Sequence, residues 1–171
     1  ATVVAWVTAA TIHFKPADFV PLNLGVWTLL LLRLPASFCG VYGFSIMFNS
    51  PRKMAALAGL IGAVANTLRL ELVDVVGMQG AEAAFIGALA AGLLASLVKK
   101  KIGYPRISLT VPAIVIMVPG LYMYRAVYNL GITSIAVGAY WFTKAAMIVF
   151  ALPLGLIFAR IFTDSRFRHC N

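Results

Sequence analysis

Val111–Arg125 reads VPAIVIMVPGLYMYR, an apolar run that carries two prolines seven residues apart and finishes in an aromatic cluster with an arginine. Pro112 and Pro119 each remove a backbone donor, and Gly120 follows the second directly. A membrane helix here is therefore predicted to kink or break near its middle. Backbone groups released at that depth find no partner in lipid, so such a break is tolerated only where protein buries it or where it lines a polar cavity. Discontinuous helices at the midplane are also how many secondary transporters form their solute sites. The competing reading is a proline kink that serves packing alone.

The whole chain shares the apolar character of this stretch. Its 171 residues are 62% hydrophobic and 11% charged, and the mean hydropathy is +0.95, too apolar for an ordinary soluble domain. The fold class expected is all-α, a polytopic bundle of about five transmembrane helices, with lipid as the surrounding solvent. The net charge of +9 would suggest nucleic acid in a soluble protein. Here the basic residues gather beside the spans, and no nucleic-acid partner is expected.

About 20 mainly apolar residues cross a bilayer, which gives spans near Leu22–Phe48, Met54–Val76, Gly80–Val98, Ile107–Leu130 and Ser134–Phe162. Arg52 and Lys53 follow the first, Lys99, Lys100, Lys101 and Arg106 separate the third from the fourth, and Arg160, Arg166 and Arg168 follow the fifth. Five crossings put all of these on one side, with Lys15, Asp18 and Glu82 on the other. The positive-inside rule then places the C-terminus in the cytoplasm of a multi-pass protein of the cell (inner) membrane. In this reading residues 1–18 form an N-terminal segment, 19–162 the transmembrane domain and 163–171 a cytoplasmic tail. Ala1–His13 is apolar but too short to span, and is read as the end of a preceding helix in a longer polypeptide, with an interfacial segment as the alternative.

Cys39 and Cys170, and His13 and His169, are too dispersed to suggest a disulfide framework, a metal site or a haem anchor. There is no glycine-rich phosphate loop and no nucleophile with a recognisable base, so neither an enzyme nor a cofactor is expected. Two stripes of small residues mark packing faces: Ala55, Gly59, Gly62, Ala63, Asn66 and Arg69 on the second span, and Ala84, Ala88, Ala91, Gly92 and Ala95 on the third. These two helices are expected to pack tightly against each other.

Charged side chains within spans cost about 2.5–3.5 kcal/mol each on insertion scales and normally face a partner or a cavity. Arg33, Arg69, Glu71, Asp74, Arg125 and Lys144 all fall in the outer half of the membrane on this topology and are expected to meet in one polar layer. Four cations face two carboxylates, so part of the positive charge calls for an anionic solute. Arginine suits that task because its planar fork holds a carboxylate in two parallel bonds. Candidate solute contacts are Arg125, Arg69, Asn66, Pro119, Gly120 and Tyr122. Lys144, Glu71, Asp74 and Arg33 are candidates for ion coupling or charge pairing, Lys144 because a lysine at depth can give up its proton. The bland alternatives are hydration of Glu71 and Asp74, snorkelling of Arg33, and an interfacial aromatic belt around Tyr122, Tyr124, Tyr128 and Trp141.

The pattern GFSIMFNSPRKMAALAGLIGAVANTLR at Gly43–Arg69, followed by VPAIVIMVPGLYMYRA at Val111–Ala126, resembles the threonine/serine exporter family. More closely, it is similar to the membrane unit that forms the C-terminal half of fused members or the small subunit of split ones. The resemblance covers roughly Leu34–Phe162, and Pro112–Gly120 is its most specific element. It implies an exporter of L-threonine and L-serine driven by an ion gradient, as an antiporter is, with a dicarboxylate such as succinate as the alternative. It also implies a second membrane subunit or a preceding half as partner, since nothing here matches the hydrolase-like region of the larger unit. A non-catalytic membrane scaffold whose charges pair with another subunit is the rival reading from a different class.

Overall fold

The computed structural model describes residues 2–13, 25–132 and 134–164. Among them seven helices are found: α1 (Thr2–Thr11), α2 (Val26–Met47), α3 (Arg52–Asp74), α4 (Gly80–Ile102), α5 (Arg106–Val115), α6 (Gly120–Ile132) and α7 (Ile135–Thr163). The chain is thus an all-helical polytopic membrane bundle. Four helices are long and apolar enough to cross a bilayer, and a fifth crossing follows if α5 and α6 count as one broken span. The link at Lys15–Asp18 and the basic tail with Arg166 and Arg168 lie outside the described residues.

Local chemistry sets the ends. After α2, Asn49 takes a left-handed φ of 57°. Asn49 N–H donates to the Ile46 carbonyl (2.9 Å) and Ser50 N–H to the Ser45 carbonyl (3.1 Å), which closes the last turn. Pro51 then caps α3, as a residue unable to extend the previous helix does. Gly103 ends α4 in the same left-handed region (φ 81°), and Pro105 caps α5.

The interruption expected in the fourth span falls at Pro119. Pro112 is carried inside α5, which runs on to Val115. There the bonding tightens to three-residue steps, Met117 N–H to the Ile114 carbonyl (2.9 Å) and Val118 N–H to the Val115 carbonyl (3.2 Å). Pro119 has no N–H to continue the ladder and its ring disfavours helical geometry at Val118. A new helix starts beyond it, with Met123 N–H on the Pro119 carbonyl at 3.0 Å.

The chain divides into two compact units. The first comprises residues 1–24 and 119–147, and the second residues 25–118 and 148–171. In the first unit α1 packs on α6, and Gly138 of α7 sits so close to Leu130 that a side chain there would collide with it.

In the second unit α3 is the central element, lying against α2, α4 and α5. Its small-residue face is buried, as expected, but its tightest partner is α2 rather than α4. A Cβ added to Gly59 would lie 2.9 Å from the Phe38 ring, and one added to Gly62 would lie 2.5 Å from Val41 Cγ2. Two bulky α2 side chains, spaced three apart, fill two notches spaced three apart on α3. Contact between α3 and α4 does occur, at Gly87 over the Ala65 carbonyl. The small face of α4 also receives α7: Gly155 lies over the Phe85 carbonyl and Ala88, and Gly92 over Ala159. Small residues permit this closeness, and dispersion between the close backbones supplies the attraction that hydrophobic burial cannot supply in lipid.

Candidate functional site

Of the six ionisable groups expected in one layer, three meet in the second unit. Arg33 of α2 reaches α3, where Nη1 donates to Glu71 Oε1 at 2.8 Å and Nη2 donates to Asp74 Oδ2. Glu71 and Asp74 sit three apart, on neighbouring turns of α3, so a single guanidinium fork bridges both. Arg33 and Glu71 are each 17% exposed and Asp74 is 47% exposed, so this ion triad runs from a sheltered end to an open one.

One turn further along α2, buried Ser37 accepts a hydrogen bond from Asn66 Nδ2 at 2.9 Å. Asn66 Oδ1, Thr67 Oγ1 and Ser45 Oγ are buried without a hydrogen-bond partner among the described residues. Arg33, Ser37, Val41 and Ser45 recur every four residues, which makes the face of α2 against α3 a polar seam interrupted by Val41. Arg69, on the opposite flank of α3, donates from Nη1 to the Met117 carbonyl at 3.1 Å. That carbonyl lies in the turn where the α5 ladder ends, so the arginine satisfies a group the helix break releases.

The other two groups meet in the first unit. The Arg125 guanidinium lies 4.7 Å from the Trp141 ring centroid. Lys144 Nζ lies 5.7 Å from the same ring and 4.5 Å from that of Tyr140. Tyr122, one turn before Arg125 on α6, packs on Trp141 with ring centroids 5.6 Å apart. Helical spacing explains the convergence: Tyr122 and Arg125 share a face of α6, and Tyr140, Trp141 and Lys144 share one of α7. Among the described residues of this unit there is no Asp or Glu. Two cations thus share one indole ring, held by its quadrupole, with no carboxylate among the described residues of their unit. Pro119 is buried, while Gly120 is exposed and a side chain there would meet nothing within 4 Å, so the start of α6 is open.

Chemically, this arrangement fits capture of a small anion. Arg125 offers a planar fork, Lys144 a second charge, and the indole and phenol rings an apolar wall with a hydroxyl at its edge. Trp141, expected from the sequence only as part of an interfacial aromatic belt, is the residue on which the cluster is assembled. The signal available beforehand was its three-residue spacing from Lys144. No spacing within the chain marks Arg125, 16 residues before Trp141, as its partner.

A family model described as "Threonine/Serine exporter, ThrE" matches residues 33–162. No solved structure matches the chain. The matched segment takes in α2 to α7 nearly entire, with the helix break, the ion triad and the Trp141 cluster inside it. On that match, the chain belongs to the threonine/serine exporter family.

Proposed function

We propose that this chain is one half of an ion-gradient-driven exporter of small carboxylate-bearing metabolites, with L-threonine and L-serine as its solutes. As a member of a transporter family it is a membrane transport component rather than an enzyme. The observation that carries the solute reading is the Trp141 cluster, where two cations converge with no carboxylate among the described residues of their unit. Arg125 anchors the solute carboxylate, with Tyr122 and the exposed backbone of Gly120, directly after buried Pro119, on the same stretch of chain. Arg69 and Asn66, the other arginine and the amide expected to contact solute, already bond the Met117 carbonyl and Ser37. That makes Arg125 the stronger anchor.

Lys144 is the ion-coupling group in this scheme, since it shares the Trp141 ring with the anchor. Arg33, Glu71 and Asp74 serve as an ion-paired clasp between α2 and α3. The chain functions in the cell membrane with its C-terminus in the cytoplasm, beside a second membrane subunit or a preceding half of the same polypeptide. Proteoliposomes holding the chain with that partner test the reading by counterflow of labelled L-threonine, L-serine and succinate. Counterflow of the two hydroxy amino acids supports it. Counterflow of succinate alone assigns the dicarboxylate class instead, and no counterflow of any of the three leaves the scaffold reading.

A further inference from the structure

A second cationic feature lies in the second unit, where the end of α4, the start of α5 and the end of α7 enclose an open cleft of about 940 Å³. Lys99, Arg106 and Arg160 line it against a single carboxylate, Asp164. Arg106 is fixed there: Nη1 donates to Thr163 Oγ1 at 3.0 Å and Nη2 to the Gly92 carbonyl at 3.1 Å. Ser96 donates to the same carbonyl at 2.8 Å. These bonds use two of the five N–H donors of the guanidinium and leave three to a ligand. Gly92 makes the arrangement possible, because a Cβ there would stand 3.2 Å from Arg106 Nη2 and 2.5 Å from Ala159. The cleft also has an apolar wall in Ile107, Leu156 and Ile157, with Ile107 and Ile157 exposed.

We propose that this cleft binds the phosphate headgroup of an anionic phospholipid, with the start of an acyl chain along Ile107 and Ile157. Charge and shape both point there. Among the described lining residues three cations outnumber one carboxylate, which favours an anion, and α5 begins at the cleft, adding the partial positive charge of its N-terminus. A free phosphate or a small amino acid would fill little of 940 Å³ and leave the apolar wall unmatched. A phospholipid meets both surfaces, at the ends of apolar helices where headgroups reside. The proposal is independent of which solute the protein moves.

Native mass spectrometry of the full-length chain, titrated with phosphatidylglycerol or phosphatidylcholine, tests it. Wild type is expected to prefer phosphatidylglycerol by an order of magnitude, roughly, and each cation removed should weaken that binding about fivefold. Arg106→Gln removes the fixed guanidinium. Lys99→Gln alters only an exposed side chain, and keeps the test decisive if the Arg106 variant fails to fold. Equal binding of the two lipids, or wild-type binding of phosphatidylglycerol by Lys99→Gln, overturns the proposal. So does displacement of the lipid by an equal concentration of soluble glycerol phosphate, which would make the cleft a free-anion site.

Discussion

Replacing Arg125 by glutamine removes the charge and the fork while keeping a polar side chain of similar reach. The guanidinium sits 4.7 Å from the Trp141 ring, a cation–π contact worth about 0.5–1 kcal/mol to the fold where partly exposed. A bond from it to a solute carboxylate, as proposed, would be charge-assisted and worth about 1.5–3 kcal/mol. The substitution is therefore expected to lower stability slightly but to weaken solute binding by roughly one to two orders of magnitude. Arg125→Lys, which keeps the charge and loses the two-pronged geometry, should fall between. Counterflow in proteoliposomes with the proposed partner half reads the affinity, and thermal unfolding of the same preparations reads the stability. Lys53→Gln, an exposed basic residue at the far end of α3, is the control expected to match wild type. If Arg125→Gln kept wild-type affinity and export, the cluster would be an interfacial belt and the argument from uncompensated charge would fail.

Three further outcomes follow from the packing and the topology. Single cysteines at Lys99 and Gln79, in a background without Cys39 and Cys170, should label from opposite sides of the membrane, and labelling from one side would break the five-crossing topology. Gly62→Ala puts a methyl group 2.5 Å from Val41 Cγ2 and should cost about 1–3 kcal/mol in unfolding measurements. Val41→Ala in the same chain should recover most of that, and a pair of simply additive losses would contradict the notch geometry. Arg33→Gln leaves Glu71 and Asp74 facing each other without their cation and should destabilise by about 2 kcal/mol, between the limits for exposed and buried pairs. Glu71→Gln added to it should restore part of the loss, which unfolding of the double variant would show.

The helices were legible because the bilayer imposes one strong rule on length and hydropathy, and each left-handed or proline stop between spans carries its own residue: Asn49 with Pro51, Gly103 with Pro105. Pro119 announced the break for the same local reason, whereas Pro112 did not break α5. Neighbours were harder. The small stripe of α3 identified a packing face without identifying what fills it, and the complementary spacing of Phe38 and Val41 against Gly59 and Gly62 was the signal that named α2. Charge pairing was less legible still. Arg33 lies 38 residues from Glu71, and only the rotation of α2 against α3 brings the two together. Arg106 looked like one of several loop charges until its bonds to Thr163 and Gly92 showed it fixed between three helices.

Tryptophan emission gives the most direct test that Arg125 and Trp141 hold a carboxylate-bearing solute. With Trp6 and Trp27 replaced by phenylalanine, Trp141 is the sole indole of the chain, and it lies against the proposed anchor. L-Threonine is predicted to change its emission saturably, L-threonine methyl ester to leave it unchanged, and Arg125→Gln to abolish the response. A flat titration with L-threonine in the presence of the proposed partner half, or an equal response to the ester, would contradict the account.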